Sequence, residues 1–171
     1  MLIGFLIIIT TILMDQLTKH ISVALIALNQ EIDVISPLFG LGHFRNYGMS
    51  FGALEGQHLL FGAVTLVSLL IFGYLFLDVD FRNKKVYSIG IALFIGGTFG
   101  NAIDRLLFGY VIDIFHFPFL TPVLNVFGLS NFYNNLADLA LFTAIILFII
   151  DVFIIEPKRK KKDNIKHEET V

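Results

Sequence analysis

Residues 86–105 read VYSIGIALFIGGTFGNAIDR, and this stretch decides the fold. From Val86 to Ile103 no side chain carries a charge, and the run is bounded by Lys85 and Asp104. Its length approaches the roughly 20 mostly apolar residues that a helix needs to cross a bilayer. Gly96, Gly97 and Gly100 are small enough to let a second helix backbone come close. Asn101, Asp104 and Arg105 gather at the far end, where each ionisable group at membrane depth costs about 2.5 kcal/mol or more. Asn101 shares a helix face with both Asp104 and Arg105, three and four residues on. The stretch therefore predicts a membrane helix that ends in a polar cluster. That cluster is either interfacial capping at the membrane surface or the rim of a site.

The rest of the chain agrees with a membrane fold. Of 171 residues, 56% are hydrophobic and only 15% charged, and the mean hydropathy is +0.81. Soluble domains carry roughly a quarter charged residues. A soluble domain of this size hides only about 70% of its chain surface. An ordinary cytosolic enzyme, a disordered chain and a nucleic-acid binder are excluded, and the net charge of −2 offers no basic field. The absence of cysteine excludes a disulfide scaffold, a thiol nucleophile and a thiolate metal site.

Three further spans are read. Met1 to Met14 is uncharged and its apolar pattern resumes after Lys19 to about Leu28; Leu59 to Leu77 is uncharged; Leu136 to Ile155 is interrupted by Asp138 and Asp151. No basic residue precedes the first run and no small-residue cleavage site follows it, so it reads as a retained helix. The expected fold is an all-α membrane protein, with four transmembrane helices and a small extracytoplasmic β-element in loop 1. Glu31 to Ser36 alternates polar and apolar residues as a short strand does. The hydrophobicity of loop 1 predicts an ordered structure at the membrane surface. Residues 1–157 form the membrane domain and residues 158–171 a basic tail. Arg82, Lys84 and Lys85 in the second loop, and the lysines and arginine after Glu156, predict cytoplasmic termini, with loops 1 and 3 outside. The tail is read as a topogenic segment near anionic lipid.

The expensive polar residues suggest chemistry. Asp15 and Lys19, four apart in the first helix, share a face. They form either a structural ion pair or a polar wall of a cavity. Asp113 lies between Val111, Ile112, Ile114 and Phe115, and such burial raises a carboxyl pKa. Asp138 opens the last helix, where an acid also favours the helix dipole. Asn135 shares its face, and Asn134 or Asn135 is a candidate N-cap. Both acids are expected at the same outer end of the bundle. Two carboxylates brought together share a proton. The ionised one can draw a proton from water while the protonated one polarises a carbonyl, which is peptide hydrolysis by general acid–base catalysis. Rival chemistries have little support. The five histidines are scattered and read as interfacial or hydrogen-bonded residues. There is no His-Glu-x-x-His run, no Gly-x-Ser-x-Gly elbow around Ser50 and no phosphate loop.

These residues resemble the lipoprotein signal peptidase family, the type II signal peptidases, which are intramembrane aspartyl proteases. Asp15-Gln16-Leu17-Thr18-Lys19 resembles the family's Asp-Gln-x-x-Lys block. Asn46-Tyr47-Gly48-Met49-Ser50-Phe51-Gly52 resembles its Asn-x-Gly-Ala-Ala/Ser-Phe block. Gly100-Asn101-Ala102-Ile103-Asp104-Arg105 with Gly109-Tyr110-Val111-Ile112-Asp113, and Asn135-Leu136-Ala137-Asp138, resemble its two remaining blocks. Met49, Thr98, Ile114 and Asn134 depart from the family pattern and bear on substrate fit and loop shape.

The resemblance implies that Asp113 and Asp138 are the catalytic dyad. It implies that Asp15, Lys19, Asn46, Gly48, Asn101, Asp104, Arg105 and Asn135 line or brace the site. It implies an activity that needs no metal or other cofactor. The implied substrate is a diacylglyceryl-modified prolipoprotein, cut before its lipid-bearing cysteine in a prokaryotic cell membrane, with membrane lipids as the other partners. Loop 1 is implied to cradle the signal-peptide segment. Two rivals stand beside this reading: a small proton-coupled transporter working through Asp15, and an inactive relative that binds lipoproteins without cutting them.

Overall fold

The computed structural model describes residues 1–48, 58–126 and 132–161. Among them, four helices are long and apolar enough to cross a membrane. They are α1 (Leu2–Leu25), α2 (His58–Phe76), α3 (Lys85–Phe108) and α5 (Leu136–Ile150). The last continues through a π-helical turn, Asp151–Ile155, to complete a span Leu136–Lys161. Lys158 to Lys161, expected to begin the tail, are therefore helical, and residues 162–171 lie outside the described residues. Helix α1 stops at Leu25 rather than Leu28, because Ile26 turns to extended backbone.

Helix α3 is the central element and buries the largest share of its span. It runs past Ile103 to Phe108, and Asn101, Asp104 and Arg105 stand in its last turns. Gly109 closes it with φ 77° and donates its N–H to the Arg105 carbonyl; glycine takes this left-handed geometry without steric cost. An apolar core of Ile8, Phe76, Val79, Ile91, Ala92 and Ile95 ties α1, α2 and α3 together towards the end where α3 begins.

The β-structure is larger than expected and is not confined to loop 1. Strand β1 (Glu31–Ile35) and β2 (Phe39–Asn46) form the hairpin expected there. Strands β3 (Val111–His116) and β4 (Tyr133–Asn134) come from the segment between α3 and α5 and join them in an antiparallel sheet of order β1-β2-β3-β4. A short helix α4 (Thr121–Val126) lies between β3 and β4. Strand β3 is buried along most of its length, so its sequence lacks the alternation that marks a half-exposed strand. The sheet closes the end of the bundle where α1 and α3 finish and α5 begins, and this placement brings Asp113 onto the helices.

Candidate active site

Close helix approach comes first. A Cβ at Gly97 would stand 2.6 Å from the Ala137 carbonyl oxygen, and one at Gly100 would stand 2.6 Å from Asp15 Oδ2. Only glycine lets α1 and α5 press this tightly on α3. The approach leaves Asp15 Oδ1 within 2.9 Å of the Ala137 N–H, which donates to it.

That contact opens a buried charge network. Asp15, Lys19 and Asp104 have fully buried side chains. Lys19 Nζ lies 2.8 Å from Asp15 Oδ2 and 2.8 Å from Asp104 Oδ2. Burying an ion costs several kcal/mol unless it is paired and its hydrogen-bonding capacity is used, and here the ammonium spends its third donor on Asn101 Oδ1 at 3.1 Å. Asp104 Oδ2 also accepts the Ile112 N–H at 3.1 Å, which locks the start of β3 to α3. Gln16 Nε2 donates to Asp104 Oδ1 at 2.9 Å and to the Gly100 carbonyl at 3.1 Å. Asp15 and Lys19 are thus an ion pair, as one expectation held, but one that also reaches the polar end of α3.

Asp113 and Asp138 are attached to this network through three asparagines. Asn101 accepts from Lys19, so its Nδ2 is left to donate to Asp138 Oδ1, at 2.7 Å. Asn135 is the N-cap of α5: its Oδ1 accepts the Asp138 N–H at 2.9 Å, and Asp138 Oδ2 receives the Asn135 N–H at 3.4 Å. This reciprocal capping box satisfies two otherwise unpaired backbone donors. With its oxygen so engaged, Asn135 turns Nδ2 to Asp113 Oδ1 at 2.9 Å. Asn46, at the end of β2, accepts the Gly48 N–H at 3.0 Å and donates to Asp113 Oδ2 at 2.9 Å. Each amide therefore has its orientation set by a third group. One side chain, Asn135, touches the machinery of both acids.

The electrostatics follow from burial. Asp113 is 2% exposed. Burial first, then the negative charge of Asp138, pushes its carboxyl up to about 7, against the opposing pull of the Asn46 and Asn135 hydrogen bonds. Arg105 stands in the field of Asp138, Asp113 and Asp104. Its guanidinium donates to the Gly48 carbonyl at 3.4 Å and lies over the Phe61 ring at 4.8 Å.

All ten residues named from the sequence fall at this end of the bundle. Met49, Ser50, Phe51 and Gly52 lie outside the described residues. Of the histidines, His43 contacts the Ile26 carbonyl and His20 the Gln16 carbonyl, in keeping with hydrogen-bonding roles. Gln16 and the Ile112 N–H join the site beyond those ten. The polar position one residue after Asp15 was the available signal for Gln16; nothing in the sequence marks a backbone amide.

The chain matches the Signal peptidase (SPase) II family over residues 7–154. The chain belongs to the signal peptidase II family. It is 35% identical to the lipoprotein signal peptidase of Lactiplantibacillus plantarum over 141 residues, covering 82% of this chain and 87% of that protein. It is 34% identical to that of Listeria monocytogenes serotype 4b over 159 residues, covering 91% and 96%. A solved structure described as a bacterial membrane enzyme, determined by the in meso method at 2.3 Å resolution, superposes with a TM-score of 0.74 at 30% identity, covering 87% of this chain and 86% of that one. Family membership and the four apolar helices make this a multi-pass bacterial membrane protease.

Proposed function

We propose that this signal peptidase is an aspartic endopeptidase in which Asp113 and Asp138 act together on one water molecule. Its substrate is a diacylglyceryl-modified prolipoprotein, cut before the lipidated cysteine. The observation that carries the reading is the position of Asn135, which donates to Asp113 while its own oxygen and N–H engage Asp138.

Near neutral pH the pair holds one proton between two carboxyls. The ionised carboxylate accepts a proton from water as the oxygen attacks the scissile carbonyl. The protonated carboxyl donates a hydrogen bond to the carbonyl oxygen as negative charge develops there. Collapse of the tetrahedral intermediate returns a proton to the leaving amine. Asn46, Asn101 and Asn135 hold the carboxylates in register. Lys19, Asp15 and Asp104 brace the helices that present them. Arg105 and Gly48 border the site on the side of α2. The termini lie in the cytoplasm and the site near the outer face, where water reaches it without crossing the hydrocarbon core. A substrate held in the same membrane by acyl chains and a signal helix reaches the site at high effective concentration.

Incubation with a lipidated prolipoprotein tests this. Asp113→Asn and Asp138→Asn each lose cleavage by a factor on the order of 10³ or more while still inserting into the membrane, and chelators leave the wild type unchanged. Substantial turnover by either variant would remove the dyad.

A further inference from the structure

Gln16 stands between two acids that one lysine cannot satisfy. Asp15 and Asp104 are fully buried and share the Lys19 ammonium, so the trio holds one carboxylate more than it has cations. A buried charge persists only where further hydrogen-bond donors reach it. Among the described residues, the two carboxylates have matching sets of donors. Asp15 accepts from Lys19, from the Ala137 N–H at 2.9 Å and from Gln16 Nε2 at 3.3 Å. Asp104 accepts from Lys19, from the Ile112 N–H at 3.1 Å and from Gln16 Nε2 at 2.9 Å. Each backbone N–H serves one acid. Lys19 and Gln16 serve both.

A carboxamide suits this place because it brings two N–H donors and no charge. Its nitrogen also donates to the Gly100 carbonyl at 3.1 Å, which fastens α1 to α3. The titratable groups around it are Asp15, Lys19 and His20 on α1 and Asp104 on α3; His20 Nδ1 meets the backbone carbonyl of Gln16 at 2.7 Å.

From Asp104 the contacts lead to the strand that carries Asp113. Ile112, the residue before it, has its N–H on Asp104 Oδ2 and its carbonyl on Asn135 Nδ2 at 3.3 Å. The peptide that enters Asp113 is thus gripped by α3 through Asp104 and by α5 through Asn135. Gln16 holds the other oxygen of Asp104, Oδ1, and with it the direction in which Oδ2 meets Ile112.

We infer that Gln16 is a positioning residue of this peptidase: its amide is the second shared donor of the Asp15–Lys19–Asp104 network, and it supports turnover through Asp104 and the Ile112 N–H. The inference rests on Asp113 and Asp138 being the catalytic pair.

Two full-length variants, assayed with a lipidated prolipoprotein, test it. Gln16→Met keeps the reach of the side chain and removes the donors. Gln16→Glu keeps the shape but installs a third carboxyl beside one ammonium, and that carboxyl donates only while it carries a proton. Gln16→Met should lose kcat on the order of tenfold or more, with KM nearly unchanged. For Gln16→Glu, kcat relative to wild type at the same pH should be lowest at about pH 8 and recover several-fold by about pH 5.5. Gln16→Met should show no such recovery. Wild-type kcat in Gln16→Met, a loss confined to KM, a relative kcat of Gln16→Glu that ignores pH, or equal recovery of both variants would overturn the inference. Should neither variant fold, the wild type labelled with nitrogen-15 glutamine decides. The Gln16 side-chain amide should exchange its protons with water at least roughly tenfold more slowly than that of the exposed Gln30, and equal exchange would overturn the inference. Asp113→Asn and Asp138→Asn are assayed alongside. Turnover in either removes the catalytic pair, whereas a pH-independent Gln16→Glu beside two inactive aspartate variants removes the role of Gln16 alone.

Discussion

The two ends of the helix bundle hold the same kinds of side chain under opposite conditions. At the sheet end, Asp15, Asp104 and Asp113 are buried, and with the half-buried Asp138 they share Lys19 and three asparagines among them. At the other end, Asp80 sits at the surface, and its carboxyl is held below the ordinary range by the Asn83 side chain and the Arg82 and Asn83 N–H groups. Burial drives Asp113 the other way, up to about 7. Asp151 is buried as well, but closed off in a one-to-one pair with Arg159 at 3.0 Å. A carboxylate with local donors and water keeps its charge and does nothing further. A carboxylate denied water, with amides too few to compensate, holds a proton it can exchange near neutral pH. The difference lies in burial and in the partners, not in residue type.

The comparison breaks first at Lys19. Removing one partner of a buried ion network leaves uncompensated charge and costs about 3–5 kcal/mol. Lys19→Met should therefore melt well below the wild type in detergent and lose activity, as thermal unfolding followed by a cleavage assay would show.

Asp113 comes next, through pH. Its folded-state pKa, about 7, lies above the ordinary carboxyl value of 3.8. Between those two values the folded state binds more protons than the unfolded one, so stability is fullest at the acid side and falls as pH rises towards 7. Asp113→Asn removes this term. The variant should be inactive yet gain on the order of a few kcal/mol over the wild type at pH 7 and above, with the gain shrinking towards pH 4. Melting curves across that window measure it; a gain that grew towards acid pH would contradict the burial account.

Asn135→Ala removes both the cap of α5 and the amide that orients Asp113. It should cost about 1–2 kcal/mol of stability but roughly 10²-fold in turnover, because small misplacement of reacting groups is expensive. The surface end should barely respond: Lys84→Ala breaks the exposed pair with Asp78 and should shift stability by less than about 1 kcal/mol.

Much of this was legible in the sequence for one physical reason. Membrane depth makes a charge costly, so Asp15, Lys19, Asp104, Asp113 and Asp138 stood out against apolar neighbours. The glycines of α3 announced close packing. The sheet was only half legible. β1 alternates as an exposed edge strand does, but β3 is buried on both faces and its sequence is nearly continuous with apolar surroundings, while β4 is two residues long. The wiring was not legible at all. The Ala137 N–H reaches Asp15 across 122 residues, and no local pattern encodes a contact made by helices pressing together. Asn46 was visible only through family resemblance, since its partner Asp113 is set by strand register.

The central claim is that Asp113 and Asp138 behave as one electrostatic unit. Carbon-13 NMR of labelled aspartate carboxyls, recorded against pH for the wild type and for Asp138→Asn, tests it directly. The account predicts that Asp113 titrates near 7 in the wild type and at lower pH once its neighbour's charge is gone, with burial keeping it above the ordinary carboxylate range. An Asp113 that titrates like a surface acid, or whose titration is unmoved by Asp138→Asn, would contradict it.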